Sequence, residues 1–204
     1  MLQTLGRCGV VVFKRLTQVV GWLRHNVAGR SVLNLFAYTC AFGLSAALGG
    51  AGRVVNIDLS RQYLEWGQEN YRLNAVVPDP RDFIYGDAFD WLGRFARRQT
   101  RFDLVLVDPP SFSSTPFSVS RDYPKLVEAA ARVVARAGML VAATNHAGTS
   151  EERFETWLFA GLERAGRRGQ VVQRWHEPET DFPVAPGHRS RTKTYLKVRA
   201  LALD

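Results

Sequence analysis

Phe102-Asp103-Leu104-Val105-Leu106-Val107-Asp108-Pro109-Pro110-Ser111-Phe112 decides how this chain folds. A short apolar strand ends in Asp-Pro-Pro, and an aromatic stands two residues later. Proline has a fixed φ and no N–H, so a pair of prolines stops the strand and stiffens the chain just after it. The residue before a proline is pushed into extended geometry, which sets where Asp108 points. The expected result is a rigid polar shelf at the carboxyl end of a buried strand, the place where open α/β sheets bind ligands. A planar group fits such a shelf, and Phe112 could stack on it or simply pack in the core.

Working outward, helix-like and strand-like runs alternate. Residues about 14–28 form an amphipathic pattern. Strand-like runs cover Ser31–Phe36, Arg53–Asp58, Asp82–Gly86, Phe102–Asp108 and Met139–Thr144. Between them lie helical stretches near 41–49, from an N-cap at Ser60 to about Asn74, over Ala88–Arg98, and over about 121–136 with Ala137-Gly138 as the stop. Ser150 caps a further helix, and Val171–Trp175 and Thr194–Leu203 are strand-like with no long helix between them. Strands that are apolar throughout imply a parallel sheet covered on both faces. The last two runs are expected to pair antiparallel at one edge. Residues 1–29 read as an N-terminal helical extension and 30–204 as the main domain. No internal repeat or low-complexity tract interrupts it.

Composition limits the function. The chain has 204 residues, 46% of them hydrophobic, which suits one globular domain. No stretch is apolar enough to span a bilayer, the first residues lack the build of a secretory signal, and no membrane association is expected. The two cysteines, Cys8 and Cys40, lack metal-type spacing, so no metal site and no disulfide scaffold is expected; a reducing cytoplasm is the simpler compartment. The net charge of +8 favours polyanions, although an arginine-rich proteome would give the same balance.

Three polar positions fall at or near the ends of the first three strands: Asn34, then Asp58, then Asp87. Asp58 stands 24 residues after Asn34, right for an acid that accepts two ribose hydroxyls. Asp87 is placed to accept from an adenine amino group. Each acid could instead cap a helix. The first turn, Phe36-Ala37-Tyr38-Thr39-Cys40-Ala41, is not glycine-rich, which speaks against a pyrophosphate and for a nucleoside cofactor without phosphates, such as S-adenosylmethionine.

With these residues in hand the chain resembles the class I S-adenosylmethionine-dependent methyltransferases. More narrowly, it resembles the bacterial family that methylates 23S ribosomal RNA, which includes cytosine carbon-5 and guanine N7 enzymes. The shared pieces are Val32–Thr39, Asp58-Leu59-Ser60, Glu69-Asn70-Tyr71-Arg72-Leu73-Asn74, Asp108-Pro109-Pro110-Ser111-Phe112, Arg121-Asp122-Tyr123 and Tyr195-Leu196-Lys197. The resemblance implies a Rossmann-like, mostly parallel, doubly wound sheet with an antiparallel edge strand near the C-terminus. It implies S-adenosyl-L-methionine held by Asn34, Phe36, Tyr38, Thr39, Asp58, Leu59, Asp87, Ala88 and Asp108. Reaction is expected at Asp108, Pro109, Pro110 and Asn145, and substrate contact at Phe112, Arg121, Tyr123 and His146. The partner is then RNA, ribosomal by analogy, and a homodimer is conceivable.

Three departures stand out. The family has two glycines where Cys40 and Ala41 stand. It has a Phe-Leu-Asp-Gln-Arg segment where this chain reads Val12-Phe13-Lys14-Arg15-Leu16-Thr17, without the acid. Many relatives carry an amino-terminal RNA-binding domain for which this chain has no room, so recognition falls to this domain, a partner or a missing region.

The acceptor atom is set by chemistry. Carbon 5 of cytosine becomes nucleophilic only after a thiolate adds to the neighbouring ring carbon. In the carbon-5 members that cysteine lies just after the fifth strand, where this chain has Asn145. A base nitrogen is therefore the expected acceptor. Alternatives are a carbon-5 enzyme, a methyltransferase for protein or small-molecule amines, and a non-catalytic RNA-binding module. His146 could serve as a base or make an ordinary loop contact. Arg121 and Tyr123 could hold substrate or anchor the loop 113–120. The basic residues 188–199, with Arg164, Arg167, Arg168, Arg94, Arg97 and Arg98, are candidate RNA contacts or solvated faces.

Overall fold

The computed structural model describes residues 17–110, 118–176 and 195–204. Phe112, Cys8, the segment 12–16 and the basic run 188–193 lie outside the described residues. The order is α1 (Thr17–Asn26), β1 (Ser31–Leu35), α2 (Ala41–Leu48), β2 (Arg53–Asp58), α3 (Arg61–Leu73), β3 (Phe83–Tyr85), α4 (Ala88–Arg97) and β4 (Phe102–Val107). It continues with α5 (Val119–Ala131), β5 (Val134–Thr144), α6 (Glu151–Arg164), β6 (Gly169–Trp175) and β7 (Lys197–Leu203).

Among the described residues, the seven strands join one sheet in the order β3-β2-β1-β4-β5-β7-β6. The first five are parallel to one another. β7 runs antiparallel between β5 and β6, so the expected antiparallel pair is present and its reversed strand lies one place in from the edge. Side chains alternate across a strand, and here both sides are apolar because both are covered. Leu33, Leu35, Val105, Val107, Leu140 and Ala142 join one core cluster with α4, α5 and α6. Val32, Leu104, Leu106, Val141 and Ala143 join the other with Val19 and Leu23 of α1 and Ala46 of α2. The helix α1 therefore shares its core with the sheet. Ser45 Oγ reinforces this by donating to the Val20 carbonyl (2.8 Å).

Ser60 and Ser150 cap α3 and α6 through their hydroxyls, as their spacing predicts. The largest boundary difference falls between α5 and β5. The helix expected to reach residue 136 stops at Ala131, and β5 begins at Val134. Val133 and Val134 are β-branched and buried, and Val134 pairs with Phe102. Ala137-Gly138 is a bulge and not a helix stop. β4 advances from Phe102 to Leu104 while β5 advances from Val134 to Met139, with Ala137 at φ 56°. Gly138 is needed there because a Cβ would come within 2.7 Å of Val134 and 3.0 Å of the Asp103 carbonyl.

No helix among the described residues is long and apolar enough to cross a membrane.

Candidate active site at the strand tips

Adjacent parallel strands bring the tips of β1, β2 and β4 side by side, and a turn from β1 folds over them. That turn, residues 36–40, is strained. Phe36, Tyr38 and Cys40 hold φ values of 56°, 49° and 58°, each costing on the order of 1 kcal/mol or more for a residue with a Cβ. Surrounding bonds hold it in place. Ala37 N–H donates to the Ile57 carbonyl (3.0 Å), Tyr38 N–H to Asp58 Oδ2 (2.8 Å), and the Asn70 amide to the Thr39 carbonyl (3.0 Å). Cys40 occupies a left-handed position that suits glycine, and its thiol is buried against Gly67. A Cβ on residue 67 would overlap Cys40 Sγ, so the missing side chain at 67 makes room for the extra one at 40. Burial, reinforced by the Asp58 charge, pushes the Cys40 thiol pKa up, so it stays protonated.

Asp58 accepts from Tyr38 N–H and from Ser60 N–H (2.9 Å). Burial raises its pKa, partly offset by backbone N–H bonds from Tyr38, Ser60 and Leu59. On β4, burial alone pushes the Asp108 carboxyl up to about 6. Between the two acids opens a pocket of about 470 Å³, lined by Phe36, Tyr38, Asp58, Leu59, Ser60, Tyr63, Asp108 and Pro110. That volume suits a nucleoside-sized ligand. Tyr38 and Tyr63 meet edge to face at 4.4 Å and stiffen one wall.

The lining fits an adenosyl group better than a dinucleotide. A carboxylate has about four acceptor positions, and Asp58 spends up to three on the N–H groups of Tyr38, Ser60 and Leu59, leaving acceptor capacity for a ribose hydroxyl. No basic residue is among the described lining residues, and nothing there would grip a pyrophosphate. Just behind the lining, Thr39 Oγ1 is buried without a hydrogen-bond partner.

Of the residues expected from sequence, Phe36, Tyr38, Asp58, Leu59, Asp108 and Pro110 meet around this pocket, and Pro109 is buried beside them. Others stand behind it. Asn34 is buried and donates to Asn56 Oδ1 (2.9 Å), whose own amide donates to Tyr71 OH (3.2 Å). Thr39 contributes its carbonyl to Asn70. Asp87, one strand further out, caps α4 by accepting from Phe89 and Asp90 N–H, and Ala88 is buried in the core. Asn145 is exposed at the tip of β5, and His146 Nδ1 lies 2.8 Å from Thr149 Oγ1. Arg121 is exposed and paired with Asp122 (2.7 Å).

The structure corrects three expectations. Tyr123 does not face a substrate. Its ring is fully buried against Phe154 and Trp157, and its hydroxyl donates to the Ala143 carbonyl (2.6 Å). Tyr123→Phe should therefore cost stability, about 1–2 kcal/mol by urea denaturation, and leave donor affinity unchanged. Weakened donor binding at unchanged stability would return Tyr123 to the site. Lys197 and Arg199 are not free to meet a phosphate backbone. Lys197 Nζ donates to the Tyr195 carbonyl, and Arg199 is fully buried between Glu151 and Glu155 (2.6 Å to each). Arg167 likewise donates to the Ala131, Val134 and Ala135 carbonyls and pairs with Asp204.

Sequence reasoning missed Tyr63 and the lining role of Ser60. Tyr63 sits three residues past the Ser60 cap, so the first turn of α3 carries it back over the tip of β2. An aromatic at that spacing after a strand-end acid was the available signal.

A carboxylate-tipped β2 beside an apolar nucleoside pocket, on a sheet of this order, defines a Rossmann-like class I methyltransferase domain. Comparison with known proteins agrees. The chain belongs to the S-adenosylmethionine-dependent methyltransferase family, whose profile matches residues 3–187. YwbD of Bacillus subtilis, provisionally named a ribosomal RNA large subunit methyltransferase, is 32% identical over 173 residues, covering 83% of this chain and 43% of YwbD. The ribosomal RNA large subunit methyltransferase K/L of Aeromonas hydrophila is 37% identical over 159 residues, covering 76% of this chain and 21% of that enzyme. The crystal structure of SMU.776, provisionally named a methyltransferase and complexed with SAH, superposes with a TM-score of 0.83 at 28% identity over 93% of this chain and 50% of that one. The chain thus spans less than half the length of these two curated relatives.

Proposed function

We propose that this domain transfers a methyl group from S-adenosylmethionine to a base nitrogen of large-subunit ribosomal RNA. The observation that carries the acceptor is the Asp108–Pro110 shelf on the pocket wall, with an exposed asparagine, Asn145, at the neighbouring strand tip and no reactive thiol among the described residues. β4 and β5 run parallel in register, Val107 opposite Ala142, so both tips open on the same side. The names of the Bacillus and Aeromonas relatives support ribosomal RNA as substrate. The chain's charge of +8 suits a polyanion.

When bound, the donor supplies an electrophilic methyl on its sulfonium. The residues then have to bind, align and exclude water. Asp58 holds the ribose diol, and Phe36, Tyr38 and Tyr63 cover the apolar surface. Pro109 and Pro110 fix the direction of the shelf. Asp108 accepts a hydrogen bond from the base, and a carboxyl with a pKa near 6 can also take a proton near neutral pH. Asn145 offers an amide to the base edge.

Incubation with labelled donor and undermethylated large-subunit RNA, then nucleoside analysis, tests this. A nitrogen-methylated nucleoside is expected. Recovery of 5-methylcytidine would overturn the acceptor, and methyl transfer to protein alone would overturn the RNA reading.

A further inference from the structure

The segment Glu69–Asn74 at the end of α3 lines no part of the pocket, yet two of its side chains, Asn70 and Tyr71, tie α3 to the residues that stand behind the lining. Tyr71 OH accepts from Asn56 on β2, which in turn accepts from Asn34 on β1. Asn74 Nδ2 donates back to the Asn70 carbonyl (2.8 Å) and fastens the end of the helix. Asn70 itself is fully buried, and its amide donates across to the Thr39 carbonyl in the cofactor turn.

That last bond differs in kind from those made by the neighbouring turn residues. Ala37 and Tyr38 bond to β2 at the foot of the turn, and Cys40 bonds to carbonyls within the turn. Asn70 reaches the turn from a separate element, at the residue between the left-handed Tyr38 and Cys40. Two strained residues flanking one carbonyl will relax unless something outside holds them. The same helix presents Gly67, which leaves space for the Cys40 thiol one turn earlier. Gly67 and Asn70 together set where the turn can sit. Tyr71, anchored to the strands, fixes the helix that carries them.

We propose that Asn70 is a positioning residue for the methyl donor: by holding the Thr39 carbonyl it keeps the 36–40 turn in the shape that lets Phe36 and Tyr38 line the pocket. This rests on the donor site and not on the choice of RNA as acceptor. A turn already in its bound shape spares the ordering cost of binding.

The test compares Asn70→Ser with Asn74→Ser, which removes another asparagine-to-backbone bond on the same helix without touching the turn. S-adenosylhomocysteine affinity is read by calorimetry, stability by denaturation, and exchange of the Tyr38 and Cys40 amides by NMR. Asn70→Ser should weaken the ligand by about tenfold, speed exchange at both amides, and raise KM for the donor more than it lowers kcat. Asn74→Ser should lose stability and bind the ligand within about twofold of wild type. Unchanged affinity in folded Asn70→Ser, or equal weakening in both variants, would overturn the proposal. Should Asn70→Ser not fold, Asn70→Asp keeps the size, replaces the donating amide with an acceptor, and is judged on the same readings. A wild-type protein that ignores the ligand would defeat the donor site itself, and this proposal with it.

Discussion

Replacing Asp58 with alanine should weaken S-adenosylhomocysteine binding by about 100-fold or more, because two losses coincide. The first is the acceptor proposed for the ribose diol. Hydrogen bonds to a charged group contribute about 1.5–3 kcal/mol each, and two are lost together. The second is structural. Tyr38 N–H and Ser60 N–H lose their acceptor, so the turn on one side and the α3 cap on the other are both loosened. Asp58→Asn separates the two, since the amide oxygen can still accept from one backbone N–H. It should bind better than the alanine variant and worse than wild type. Titration calorimetry at constant pH reads all three. A loss of less than about fivefold in Asp58→Ala would mean that the diol is held elsewhere.

Asp108→Asn should have opposite effects on activity and stability. Losing the carboxylate on the shelf should slow methyl transfer by about 100-fold, the lower range for removing a positioned acid–base group. The same change should stabilise the ligand-free fold. Burial raises the Asp108 pKa from 3.8 to about 6, so the folded state favours the neutral acid. The stabilising protonated form is fully present below the unfolded value and is lost as pH rises through 6. Above that, the buried charge costs on the order of 2–3 kcal/mol, which asparagine removes. Urea denaturation at pH 7.5 should favour the variant by about that amount, and the advantage should vanish near pH 4. An equal difference at both pH values would show that Asp108 is not the group responsible.

Much of the fold and of the candidate site's position is legible in the chain, for identifiable reasons. β1, β2 and β4 are mostly apolar because both sheet faces are covered, with single polar residues (Asn34, Asn56, Asp103) inside them, and the Asp58 and Asp108-Pro109-Pro110 positions mark where two of these runs stop. Asp58 and Asp108 can be found because they end such runs. Asp87 carries two readings, and its carboxylate caps α4, a local bond that sequence spacing alone cannot separate from a ligand contact. The bulge at Ala137-Gly138 replaces the expected helix stop because a glycine after an alanine-rich stretch signals either one equally well. Tyr123 and Arg199 depart from expectation because polarity suggests exposure. Each is buried with a partner far along the chain, Ala143 for one and Glu151 and Glu155 for the other. The left-handed turn at 36–40 is invisible to propensity, since Phe, Tyr and Cys seldom adopt positive φ. Only the resemblance, with glycine expected where Cys40 stands, hints at it.

The most direct test is a crystal structure of the protein grown with S-adenosylhomocysteine. The ribose hydroxyls should lie within hydrogen-bonding distance of the Asp58 carboxylate, and the sulfur should face Asp108 and Pro110. A ligand seated away from the tips of β1, β2 and β4, or one whose sulfur points away from Asp108, would contradict the account.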